Sequence, residues 1–406
     1  MAVKVIVITG VGVICSNGIG KEAFSNAITE GESGIRPITI FDTSAYTAKT
    51  AAEVANFNPQ QFLGAKGLRT LDRTTKLATS AAKLALDDAR LEVGEENCRD
   101  IGVVLGSTLG SVKSVCDFDK EALKDGPRYV NPAFFPNTVI NSPASQISIK
   151  FNIRGFNSTI STGFSAGIDA LGYAVDMLRA GRAKIALAGG AEEFCLETFL
   201  GFYKSGLLAG RAGSPEISCP FDRRRNGVIL GEAAAILVLE DLDSALERKA
   251  AIYGRISGYG TGFAPLGSRS LRRAMQGAIG EAGIKAEDIN YISAAGNSSP
   301  EQDAAEAEAI NEVFAQDAQI IPVSSIKSMI GECYSASGAL QAAAALGAIE
   351  KQAVPPMINY AQPDPACRLN YVVNKAKSCK IDNVLINATC SGRTSSSLVI
   401  SKFSKG

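Results

Sequence analysis

The chain has 406 residues, 46% of them hydrophobic and 20% charged, enough for two domains or one large two-part domain with a well-buried core. Lysine plus arginine equals aspartate plus glutamate at 41 each, which excludes the global basic field that serves nucleic acid binding. No stretch nears about 18 unbroken apolar residues, so no membrane span is expected. The nine cysteines are odd in number and form no C-x-x-C pair. They read as reduced thiols in a cytoplasmic protein, with no zinc or thioredoxin site.

In chain order, Met1 to Gly10 reads as a short buried strand without a signal-peptide cleavage region. Thr9-Gly10-Val11-Gly12 resembles the start of a dinucleotide fingerprint, but the third glycine should fall at Cys15, and a plain tight turn is the expectation. A helical pattern from Thr75 to Ala89 leads through acidic residues to a strand over Ile101–Ser107. An extended run, Gly155 to Ile160, then a glycine-rich turn, Ser161 to Ile168, precede a helical pattern from Asp169 to Arg179 and a strand over Arg182–Gly190. The helix–acidic turn–strand unit recurs at Leu271–Ala282 and Ile289–Gly296, and a last buried strand covers Asn383–Ala388. Apolar strands between helical patterns follow βαβ logic. The expected architecture is α/β, with two similar halves over 1–250 and 251–406. Their sheets should lie between helical layers, with the active region at the strand ends where the halves meet.

Strand, glycine-rich turn and helix at residues 155–179 make the shape of a nucleophile elbow. Gly163-Phe164-Ser165-Ala166-Gly167 fits G-x-S-x-G and nominates Ser165 as a hydrolase nucleophile. A serine needs a base, usually histidine, and the chain has no histidine. A Ser165–Lys327 arrangement has only the polarity of both residues behind it. Phe164 taken alone is a core aromatic at a turn.

The framework around the elbow resembles a β-ketoacyl-acyl-carrier-protein synthase of the condensing-enzyme superfamily. The carrying segments are Thr9 to Gly12, Phe41-Asp42-Thr43-Ser44-Ala45-Tyr46, Asn131-Pro132 through Phe135-Pro136-Asn137-Thr138, and Ala188-Gly189-Gly190-Ala191-Glu192. With them go Pro220-Phe221-Asp222 through Arg225-Asn226-Gly227, Gly231-Glu232-Ala233, Ser324-Ser325-Ile326-Lys327-Ser328, and Val354-Pro355-Pro356. The resemblance implies a thiolase-like fold, layered α-β-α-β-α. Active members have Cys-His-His chemistry. Here the cysteine position is Phe164, the first histidine position is Ala295 and the second is Glu332. Phenylalanine forms no thioester, the alanine side chain donates no hydrogen bond, and an ionised glutamate only accepts. The glycine-rich gating loop of the family is eroded to Asn387-Ala388-Thr389-Cys390-Ser391-Gly392-Arg393-Thr394. The resemblance also places a structural ionic pair at Lys327 and Glu306. Cys333, beside Glu332, reads as a packing thiol.

An intact framework with all three catalytic positions replaced resembles the ketosynthase β subunit, or chain-length factor, of type II polyketide systems. The resemblance implies a heterodimer with an active ketosynthase α subunit, and malonyl units delivered on the phosphopantetheine arm of an acyl carrier protein. It implies no bound cofactor and no metal. Many such subunits carry glutamine at the cysteine position, so any role of that glutamine does not transfer to Phe164. The family region that reaches into the partner's acyl tunnel matches residues 106–118, in which Leu109, Val112, Cys116 and Phe118 have helix-face spacing. They are expected to line the tunnel or the interface; an ordinary buried helix face would look the same. Two further readings stay open: an independent malonyl-carrier-protein decarboxylase or other acyl-carrier-protein-acting enzyme, and a homodimeric acyl-binding protein.

Overall fold

The computed structural model describes residues 4–264, 267–390 and 393–404. Met1 to Val3 of the expected first strand, and Ser391 and Gly392 of the gating loop, lie outside the described residues.

The amino-terminal half contains β1 (Ile6–Cys15), α1 (Arg73–Asp88), β2 (Ile101–Gly106), α2 (Val112–Asp125), α3 (Ser142–Phe151), β3 (Asn157–Ile160), α4 (Ala166–Arg179), β4 (Ile185–Glu192), α5 (Leu196–Ser205) and β5 (Ala233–Asp241). The carboxy-terminal half contains β6 (Gly254–Phe263), α6 (Arg269–Ala282), β7 (Tyr291–Ser293), α7 (Pro300–Phe314), β8 (Pro322–Ser324), α8 (Ser335–Lys351), β9 (Asn383–Thr389) and β10 (Thr394–Ser401).

The strand orders are β3-β2-β4-β5-β1 and β8-β7-β9-β10-β6, which is the same order counted within each half. Directions match as well. The first three strands of each row are parallel and the last two pairings are antiparallel. The halves join where Ile6, Val7 and Ile8 pair with Ile256, Arg255 and Gly254, which merges both rows into a 12-stranded sheet among the described residues.

Burial explains the layers. In β2, Ile101, Val103 and Leu105 pack with α1 while Val104 faces the other side, the alternation a strand imposes. In β9, Val384 and Ile386 face inward and Leu385 packs outward with α6 and α7. Helices α4 and α8 pack on each other between the two rows of strands. Helix α8, Ser-Ala-Ser-Gly-Ala-Leu-Gln-Ala-Ala-Ala-Ala-Leu-Gly-Ala-Ile-Glu-Lys, is buried along most of its length. Alanine is the strongest helix former, and small side chains let one helix fit between two sheets. The result is α-β-α-β-α.

The strand ends carry one correction. Thr9 to Gly12 is not a turn; it lies inside β1, buried on both faces. The glycines are there for closeness to α1: a Cβ on Gly10 or Gly12 would sit 2.4 or 2.0 Å from the Ala85 or Ala81 carbonyl oxygen. Helix α4 begins at Ala166 rather than Asp169, so the elbow feeds directly into it.

Candidate functional site

The elbow is built by Gly163, Phe164 and Ser165, a tight turn leading into α4. Gly163 has φ 74° and a Cβ there would meet the Cys390 sulfur at 2.5 Å, so both conformation and space require glycine. Ser165 is fully buried, and its hydroxyl donates to the Thr162 carbonyl at 3.0 Å and to Asp169 at 3.1 Å. Asp169 also accepts from Thr162, Ser396 and, at 2.9 Å, Tyr259. Four hydroxyls on one carboxylate clamp the elbow to the strands of the other half. Lys327 bonds elsewhere, so the Ser165–Lys327 arrangement is not formed.

Phe164 is buried. Its ring stacks on Phe202 at 6.1 Å between centroids and meets the edge of Tyr334 at 5.7 Å. These rings belong to one cluster with Phe41, Tyr46, Phe194, Phe199 and Tyr203. The elbow's Phe164 is thus part of a packed aromatic core.

Glu332 is buried and saturated. One oxygen accepts from the Lys327 ammonium at 2.8 Å and Asn297 Nδ2 at 2.9 Å; the other accepts from Ser337 Oγ at 2.7 Å and the Tyr334 amide at 3.1 Å. Lys327 is 2% exposed and Glu332 0% by side chain, so the pair is closed to water. The Lys327–Glu306 pair expected from the resemblance is therefore not formed. Glu306 accepts instead from the Ala295 amide at 2.8 Å and Asn387 Nδ2 at 3.1 Å. The reason is that a carboxylate stands at residue 332 and takes the lysine. Left without its ammonium contact, Glu306 is pushed up to about 7 by burial, which outweighs the field of Lys327.

Ala295 is buried in the loop between β7 and α7. Its backbone is held by Glu306, and Asp303 accepts from the amides of Asn297 at 2.9 Å and Ser298 at 3.2 Å. Through Asn297, Glu332 and Tyr334, the positions Ala295, Glu332 and Phe164 are linked around one centre. Cys333 is a buried thiol bonded to the Ile330 carbonyl at 3.3 Å, and burial pushes its pKa up despite Lys327. It has the character of a packing residue.

The four expected tunnel residues do not share one helix face. Leu109 precedes α2, donates its amide to Glu192 at 3.0 Å and packs with the Phe164 cluster. Val112 and Cys116 lie one turn apart on α2, and Phe118 packs on Phe135 at 6.1 Å. With this chain alone, no residue of α2 is buried, so the face is not an ordinary buried helix face.

Sequence reading missed the aromatic cluster, Asn297, Asp303 and the Asp169 clamp. The only local signal was Phe199, Phe202 and Tyr203 at helical spacing. The rest comes from residues scattered between 41 and 396 that only the fold assembles.

Buried carboxyls set the pH response. Burial pushes Glu193 up to about 8, Glu192 to about 7, Glu306 to about 7 and Asp303 to about 6. In an unfolded chain these groups titrate near about 4, so between roughly pH 5 and 8 the folded state binds more protons and stability falls as pH rises. No histidine offsets this. At a fixed protein concentration and assembly state, the denaturant midpoint of the folded chain should therefore decline steadily from about pH 5 to 8; a flat or rising profile would contradict these assignments.

Among the described residues, no cluster of histidine, cysteine, aspartate or glutamate is arranged to hold a metal ion, and no helix is long and apolar enough to cross a membrane.

Known proteins share this chain's sequence and fold. The description "Beta-ketoacyl synthase, N-terminal domain" matches residues 4–245, and "Beta-ketoacyl synthase, C-terminal domain" matches 253–361. The 3-oxoacyl-[acyl-carrier-protein] synthase 2 of Coxiella burnetii is 36% identical over 98% of both chains, and that of Synechocystis 35% over 98% of both. The structure of the ishigamide ketosynthase/chain length factor superposes with a TM-score of 0.92 and 32% identity, covering 99% of this chain and 100% of that one. A type II polyketide acyl-carrier protein in complex with its ketosynthase bound to the hexaketide gives a TM-score of 0.90 and 29% identity, over 99% of this chain and 100% of that one. By sequence over nearly its whole length and by fold, the chain belongs to the β-ketoacyl synthase family.

Proposed function

We propose that this chain is a catalytically silent ketosynthase subunit that pairs with an active ketosynthase and shapes the shared acyl tunnel during decarboxylative condensation of malonyl units on acyl carrier protein. The observation that carries the reading is the filled centre. Phe164 supplies no nucleophile and is packed between Phe202 and Tyr334. Ala295 offers only its backbone, and Glu332 spends both oxygens on Lys327, Asn297, Ser337 and Tyr334. The likeness to a ketosynthase/chain length factor supports the same reading. The division into halves at 1–250 and 251–406 is part of the proposal.

A cleft bounded by Leu207, Ser270, Ser299, Gln302, Thr389 and Cys390 opens beside Glu306. Hydroxyl and amide groups set in apolar walls suit the amides of a carrier protein's phosphopantetheine arm. The exposed α2 face supports the partner. Obligate interfaces usually exceed about 2,000 Å², and the chain expressed alone should self-associate or aggregate. Expressed with an active ketosynthase it should elute as one heterodimer. A stable, well-behaved monomer that ignores such a ketosynthase would contradict the proposal.

Tunnel control should rest on Val112, Cys116 and Phe118 more than on Leu109, which packs inside this subunit. Phe118→Ala should lengthen the products of the heterodimer and Val112→Phe should shorten them, read by mass spectrometry of released chains. Leu109→Ala should chiefly lower stability, by about 2–5 kcal/mol. Altered yield with unchanged product length in the Phe118 and Val112 variants would remove the tunnel role.

A further inference from the structure

Around α2 and the segment Pro132–Thr138, the side chains of Leu123, Tyr129, Phe134, Phe135, Val139 and Ile140 are exposed. Leu123 is 88% exposed, and six such apolar side chains along one stretch of chain are the kind of surface that marks an interaction site. Sunk in this face is a cleft. Its apolar walls are Leu71, Phe118 and Phe134, and its polar lining includes Asp72, Asp117 and Glu121. Among the described residues, no lysine or arginine lines it. Asp117 is met by Lys113 at 2.6 Å in a half-exposed pair along the helix, an interaction of small worth. Behind the cleft, Glu193 is nine-tenths buried and one of its oxygens has no partner. Its carboxyl is pushed up by burial first, then by Asp72, Glu232 and Glu192. The nearby Arg73 is taken by Glu232 at 2.5 Å. Glu193 is therefore largely protonated near neutral pH, and the negative charge in excess here is that of Asp72, Asp117 and Glu121 in the cleft's own lining against Lys113, beside two phenyl rings.

We propose that this cleft receives an arginine side chain of the partner subunit, and that this contact selects the partner. A guanidinium fits better than an ammonium: it stacks on aromatic faces and bonds carboxylates in a fork, while its stem lies along Leu71. The idea rests on the heterodimer reading above and deepens it. The competing occupant is Arg128 of a second copy of this chain, which is exposed on the same face.

The test measures dissociation constants between this chain and a co-expressed active ketosynthase at about 0.05 M and about 0.5 M salt, where the screening length changes severalfold. The wild type is compared with the double variant Asp117→Asn/Glu121→Gln and with Phe134→Ala. The amide variant should bind about tenfold more weakly at low salt, and the gap should shrink at high salt. Phe134→Ala should weaken binding alike at both. An amide variant that matches the wild type at both salts overturns the cleft's role and leaves the heterodimer standing. Wild-type self-association that the amide variant loses would assign the cleft to Arg128 of a second copy and overturn the proposal. A wild type that binds no active ketosynthase overturns the heterodimer reading and this inference together.

Discussion

Lys327→Met should lower the stability of the folded chain by about 3–5 kcal/mol, the cost of leaving one member of a buried ion pair without the other. Glu332 is fully enclosed, and among the described residues Lys327 is the one cation paired with it. Its remaining partners, Asn297, Ser337 and the Tyr334 amide, are neutral donors. The double variant Lys327→Met/Glu332→Gln should recover much of this loss. It removes both charges while glutamine keeps an acceptor for Ser337 and Tyr334. Chemical denaturation of the two single variants and the double closes the cycle. Losses that simply add would mean that Lys327 is not held by Glu332 in solution. The same cycle with Glu306 in place of Glu332 should show far weaker coupling, because Glu306 makes no contact with the ammonium.

Phe164→Ala should be nearly as damaging, at about 3–5 kcal/mol. The ring it removes lies between Phe202 and Tyr334, and the surrounding cluster has other large rings that cannot easily close the gap. Phe164→Cys separates packing from chemistry. It places a thiol at the start of α4, where the helix end favours a thiolate, and a thiol-directed electrophile should add to it. Condensation should still not follow. Ala295 has no side-chain donor, and Glu332 brings an acceptor where the developing oxyanion needs donors. A Phe164→Cys chain that condenses malonyl units at the rate of an active synthase would refute the assignment of Ala295 and Glu332 as lost catalytic positions.

Much of this architecture is legible in the sequence, because local pattern dictated it. The apolar runs at Ile101–Gly106 and Ile185–Glu192 could only be buried strands, and the repeat of helix, acidic turn and strand foretold two matching halves. Gly10 and Gly12 misled because glycine suits both a turn and a close approach. Only the position of α1, which the sequence near residue 10 cannot show, separates the two. The Lys327 partner failed for a similar reason. Glu306 and Glu332 are both acids within reach of the same centre, and the choice depends on side-chain geometry after folding. The resemblance named Glu332 as a lost histidine but gave no sign that it would draw the lysine away. Helical spacing grouped Leu109 with Val112 and Cys116, yet α2 starts only at Val112, so Leu109 turns inward to the Phe164 cluster. That cluster draws on residues from Phe41 to Tyr334, and a single window shows only its Phe199, Phe202 and Tyr203 part.

The central claim is that this chain sits in a ketosynthase complex without taking the acyl group. Intact-mass analysis of the purified heterodimer after incubation with acyl-carrier protein tests it most directly, since each subunit is weighed separately. The account predicts one acyl mass on the partner and an unmodified mass for this chain. A stoichiometric acyl adduct on this chain, mapped to residues 161–167, would contradict it.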